Sequence, residues 1–123
     1  MKDFKTLKEV CELLNVTRRI VQGYEKKGLV HTDYKDKYGH LLYDEEAVKR
    51  IALIRFYQKM GFELKEIVDF IDLPDKEIKN ILINKLNELK IEQENNNKKL
   101  ILIEETINSF HKDNIDKYLK IIM

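Results

Sequence analysis

Residues 75 to 110 run without a glycine or a proline, which predicts one helix too long to fold back into a single small globule. Such a helix leaves the rest of the chain and seeks a partner along its apolar side. Leu86, Gln93, Leu100 and Ile107 fall on one heptad series, and Leu82, Leu89, Asn96, Ile103 and Phe110 on the interleaved one, so the spacing draws a coiled-coil seam. Gln93 and Asn96 interrupt it. Either that polar pair holds two chains, parallel or antiparallel, in one alignment, or residues 94 to 99 fray and carry no specificity.

With 123 residues in all, the chain has room for one globule beside this helix. The boundaries fall at 1–73 for the globule, 74–110 for the dimerisation helix, and 111–123 for a short C-terminal helix or tail carrying Ile115, Tyr118, Leu119, Ile121 and Ile122. The net charge of +1 hides an asymmetry: residues 1 to 60 sum to +4 and residues 61 to 123 to −3. The basic half is where a polyanion would bind.

The single cysteine, Cys11, has no partner for a disulfide, and its helical spacing reads as a small core residue. His31, His40 and His111 are scattered, so no metal site and no cofactor are expected. No leader-like apolar run opens the chain and no stretch is apolar enough to span a membrane, which predicts a cytoplasmic protein. Heavy use of Lys, Ile and Asn suits an AT-rich bacterial or phage genome. Converging acids, bases or nucleophile motifs are missing, so an enzyme is not expected.

Leu7, Val10, Cys11 and Leu14 mark one face of a first helix, with Thr6 as its N-cap. Asn15 tolerates the left-handed backbone of a tight turn, and Thr17 then caps a second helix to about Lys27, closed by Gly28. From Leu29 to Tyr43 the helical period vanishes, and Tyr34 to Tyr43 reads as a small β-hairpin. Asp44-Glu45-Glu46 opens a third helix ending at Gly61; Leu64, Ile67, Val68 and Ile71 pattern a fourth, closing near Leu73. The fold class is therefore mainly α: a winged helix-turn-helix followed by a long coiled-coil helix.

Two short helices joined by a tight turn can set the second in the DNA major groove. Arg18 and Arg19 stand at its N-terminal end, where side chains reach bases or phosphates, and Gln22 offers a donor and an acceptor. Val21 and Tyr24 form its core-facing side. The order of motifs resembles the MerR family of bacterial transcription regulators: Tyr24-Glu25-Lys26-Lys27-Gly28-Leu29, a wing with Tyr38-Gly39-His40-Leu41-Leu42-Tyr43, then Ile54-Arg55-Phe56 and Lys59-Met60-Gly61-Phe62-Glu63-Leu64. The resemblance covers residues 6 to 73 or so, the long helix matching in kind.

It implies a homodimer on a two-fold symmetric promoter operator, acting by bending and untwisting the spacer DNA, with RNA polymerase as a further partner. By position it assigns DNA contacts to Thr17, Arg18, Arg19, Gln22, Tyr24, Lys35, Lys37, Tyr38, His40, Arg50 and Arg55. The chain departs from the family where arginines are usual, at Gln22 and Leu41, and where a tyrosine is usual, at Gly23. Losing two phosphate-binding cations should weaken affinity and flatten its salt dependence. Two other readings stay open: a protein-interaction adaptor on a degenerate head, and an architectural factor that only bends DNA. A contiguous cationic surface over the second helix and wing favours DNA; an apolar patch there favours protein.

Overall fold

The computed structural model describes residues 3–108 and 115–123. Its contacts divide it into two units, one ending at Pro74 and one starting at Asp75. The first holds β1 (Lys5–Thr6), α1 (Leu7–Leu14), α2 (Arg18–Lys26), β2 (Tyr34–Lys35), β3 (Leu41–Tyr43), α3 (Glu45–Lys59) and α4 (Leu64–Phe70); the second holds α5 (Asp75–Asn108) and α6 (Ile115–Ile122). The chain is mainly α, as its periodicity predicts.

Local chemistry sets the helix ends. The Thr6 hydroxyl accepts from the Glu9 amide at 3.2 Å while the Glu9 carboxylate accepts from the Thr6 amide at 3.0 Å, a reciprocal box that satisfies two otherwise orphaned donors. The bonds from Thr6 hold the Glu9 carboxyl below its ordinary range. Asn15 closes α1 in the left-handed region at φ 53°, and the Thr17 hydroxyl accepts from the Ile20 amide at 3.2 Å to open α2. The Asp44 carboxylate accepts from the Ala47 amide at 2.9 Å at the start of α3.

Val10, Val21, Ile51, Ile54 and Ile67 are fully buried and give the first unit its core. Each contributes roughly 1.5–3 kcal/mol from burial. Tyr57, Phe62 and Phe70 add an aromatic cluster, with the Tyr57–Phe70 and Phe62–Phe70 ring centroids both 5.0 Å apart and near edge-on. α4 is shorter than the periodicity suggests: it ends at Phe70, buries Ile67, and leaves Val68 exposed. A helix of that length covers the core with one narrow face.

The expected hairpin is β2 and β3, antiparallel, with Tyr34 opposite Leu42 and Lys35 opposite Leu41. A third strand, β1, pairs with the other edge of β3, Lys5 opposite Tyr43 and Thr6 opposite Leu42, giving the order β1-β3-β2. Within α5 no residue is buried, and Leu86, Leu89, Leu100, Ile103 and Ile107 are exposed. Phe110 and His111 lie outside the described residues. No helix among the described residues is long and apolar enough to cross a membrane.

Candidate nucleic-acid interface

The α1–α2 turn and the wing bring cations from distant parts of the sequence onto one surface. A groove is lined by Lys8 of α1, Arg18, Gln22 and Glu25 of α2, and Asp36, Gly39, His40 and Leu41 of the wing. A second groove, sharing Gln22 and Glu25 with the first, runs along α2 past Arg19, Gly23 and Lys26. Arg18, Arg19, Gln22, Lys26, Lys8 and His40 are all exposed. Thr17, whose hydroxyl is occupied as a cap, is exposed at the entry to α2.

The two acidic groups in the groove are held by internal bonds. Glu25 accepts from the Tyr43 hydroxyl, whose ionisation is pushed up by burial and by the neighbouring carboxylate. Asp36 accepts from the backbone amides of Tyr38 at 2.8 Å and His40 at 2.9 Å, and from the His40 ring at 3.3 Å. Those backbone bonds keep its carboxyl below the ordinary range. The Asp36 amide in turn donates to the His40 carbonyl at 2.9 Å, and Gly39 turns the chain at φ 84°, a region that favours glycine. Asp36 thus folds the wing tip while Lys35, Lys37, Tyr38 and His40 stay outside it, exposed. Tyr38 is 73% exposed, with the Lys37 ammonium 5.1 Å from its ring centre.

Three sequence-assigned DNA contacts are not brought to this surface. Tyr24 is only 1% exposed: its ring lies in the core and its hydroxyl donates to the Gln58 side chain, so it is a packing residue. Burial pushes its ionisation up, against a smaller opposing effect of Arg55. Arg50 is committed elsewhere, its Nε donating to the Leu29 carbonyl at 2.9 Å and its other nitrogens to both Asp72 oxygens at 2.6 and 2.9 Å. The hydrogen bonds to Asp72 raise the guanidinium and hold the Asp72 carboxyl below its usual range. Arg55 reaches the Gln58 amide oxygen at 3.5 Å and lines a small pocket with Leu14, Ala52, Phe56 and Lys59, on α1 and α3 rather than on α2 and the wing. Conversely, sequence reasoning missed Lys8 and Asp36. Lys8 sits on the polar face of α1 with no motif to mark it, and Asp36 falls inside the expected hairpin with nothing in its own pattern to single it out.

The description "MerR HTH family regulatory protein" matches residues 5–73, more than half of the chain. The chain belongs to the MerR family. That is a family of transcription regulators, not of enzymes. Among relatives, the nodulation protein NolA of Bradyrhizobium elkanii is 39% identical over 59 residues, 48% of this chain and 27% of its own length. The mercuric resistance operon regulatory protein of Bacillus cereus is 26% identical over 69 residues, 56% of this chain and 52% of its own. This chain thus matches between a quarter and about half of the length of these MerR relatives. Among solved structures, a MerR-family regulator from Bacillus cereus superposes with a TM-score of 0.75 at 22% identity, covering 96% of this chain and 95% of the other. HiNmlR, a MerR regulator lacking the sensor domain and bound to promoter DNA, gives 0.62 at 20% identity, covering 86% and 85%. At these identities the likeness is one of fold.

Proposed function

We propose that this MerR-family chain is a sequence-specific DNA-binding transcription regulator of the cytoplasm, acting as a homodimer on a two-fold symmetric promoter operator, distorting the spacer DNA and working with RNA polymerase there. The observation that carries the reading is the convergence of Lys8, Arg18, Gln22 and His40 on one groove between α2 and the wing. Its cations are exposed, whereas its acids are engaged in internal bonds, so the surface facing a ligand is suited to phosphates. The larger apolar side chains in the same groove, Leu7 and Leu41, are half-buried, which is not the surface of a protein-docking patch. A dimer is supported by α5, whose seam of exposed Leu and Ile is unstable alone in water. The DNA contacts proposed are Thr17, Arg18, Arg19, Gln22, Lys35, Lys37, Tyr38 and His40, with Lys8 added.

Fluorescence anisotropy with DNA from upstream of the gene, against a scrambled duplex and at several salt concentrations, tests this. The upstream duplex binds more tightly, and Arg18→Ala weakens it and reduces the salt slope by about 0.9. Equal and weak binding to both duplexes would sink the reading and bring the adaptor to the front.

A further inference from the structure

We propose that Gly23 sets base specificity in α2: the gap it leaves on the outer face of that helix receives the 5-methyl group of a thymine in the DNA major groove. The inference rests on the reading of α2 as the helix that meets DNA, and deepens it by naming the group that is read. Arg19, Gln22, Gly23 and Lys26 are spaced i, i+3, i+4 and i+7, so they share one face of α2, opposite buried Val21 and Tyr24. The same four residues, with Glu25, line the groove along the helix. Arg19, Gln22 and Lys26 carry long side chains; Gly23 in their midst carries none.

Nothing in the fold itself calls for a glycine there. Of the chain's four glycines, Gly28, Gly39 and Gly61 have positive φ, the region that favours glycine, and Gly23 does not. It lies inside α2, its carbonyl accepting from the Lys27 amide at 3.2 Å. Among the described residues, a Cβ placed on it would meet no atom within 4 Å outside its own stretch of helix. Alanine would favour the helix about four- to fivefold in the folding equilibrium. The free protein therefore gains nothing from the glycine, whereas a group entering from outside gains the space that an alanine methyl would take. The walls of that space are mainly apolar although Arg19, Gln22, Glu25 and Lys26 are polar or charged, so their methylene stems form them. Of the base edges in the major groove, only thymine offers an apolar group, its 5-methyl. Burying one methyl strengthens binding about fourfold.

In the test, the full-length protein selects its preferred duplex from a random-sequence library, and each thymine of that duplex is replaced in turn by uracil, which lacks only the methyl. Anisotropy titration of the wild type should find at least one thymine whose replacement weakens binding about three- to fivefold. Gly23→Ala, whose own methyl fills the gap, should bind the thymine duplex about fivefold more weakly and lose that discrimination, while its Tm rises by about 4–8 °C. Stability and affinity then move in opposite directions, which a purely structural glycine would not produce. A wild-type uracil scan with no sensitive position, or a scan equally sensitive in Gly23→Ala, overturns the proposal and leaves the sequence-specific reading standing. A fall in Tm for Gly23→Ala overturns it too, since the glycine would then serve packing. If selection enriches no sequence, the sequence-specific reading itself fails and the proposal with it.

Discussion

Replacing Arg50 by alanine should destabilise the first unit strongly while leaving DNA contacts intact. The guanidinium does two separable things. Its Nε satisfies the carbonyl of Leu29, a residue only 5% exposed, at 2.9 Å. A charged donor on a shielded carbonyl contributes about 1.5 kcal/mol. Its other nitrogens grip Asp72, but that side chain is 77% exposed, so solvent screening cuts this arm to about 0.5 kcal/mol despite the two-pronged geometry. Arg50→Ala therefore costs about 2 kcal/mol, and Asp72→Ala about a quarter of that. Urea unfolding reports both: the chain has no tryptophan, and tyrosines 24, 43 and 57 sit in the affected core. For a slope near 1–2 kcal/mol/M, Arg50→Ala lowers the midpoint by about 1–2 M. Asp72 has its folded carboxyl pKa lowered by Arg50, so its contribution is present above the ordinary carboxylate range and fades as pH falls through the lowered value. The gap between wild type and Asp72→Ala should close on acidification. Equal midpoints for Arg50→Ala and Asp72→Ala would refute the reasoning, because the Leu29 bond would then contribute nothing. So would a reduced salt slope of DNA binding for folded Arg50→Ala, since that would make Arg50 a phosphate contact after all.

Thr17→Ala removes the cap of α2 and should cost about 1 kcal/mol, a fall in Tm of about 4–8 °C in a thermal melt, with weaker operator binding. Asp36→Asn should loosen the wing tip: Asp36 is held below its ordinary pKa, so in the wild type the amides of Tyr38 and His40 stay protected above the carboxylate range and lose protection as pH falls through the lowered value. Amide exchange against pH should show that transition in the wild type and not in the variant. Gln22→Arg restores the cation usual in the resemblance at an exposed position between both grooves, so it should tighten DNA binding and steepen the salt slope by about 0.9, read by the same anisotropy titration.

Much of the fold was legible because its signals are local. Thr6, Asn15, Thr17 and Asp44 mark helix ends by their own side chains, and the Leu7-Val10-Cys11-Leu14 spacing needs only one helical face to be recognised. β1 was not legible: two residues cannot show alternation, and their strand character exists only through pairing with β3. The site divides along the same line. Arg18, Arg19 and Gln22 follow from the position of α2, and Lys35, Lys37, Tyr38 and His40 from the wing. The pairing of Arg50 with Asp72 was not legible, because the two lie 22 residues apart and no local pattern joins them. Tyr24 was assigned to DNA although its spacing with Val21 already placed it on the core side, and the core is where it lies.

Thr6 is at once the last residue of β1 and the cap of α1, and its strand partner Leu42 is also paired with Tyr34 of β2. The Leu42 carbonyl further accepts from the Thr32 hydroxyl. A single residue pair thus couples the helix-turn-helix to both strands of the wing before any DNA is met. Pre-assembly of this kind spares the complex the entropy of ordering a loop on contact. Discrimination between related operators should then be written mainly in residence time, with association rates nearly common to all of them.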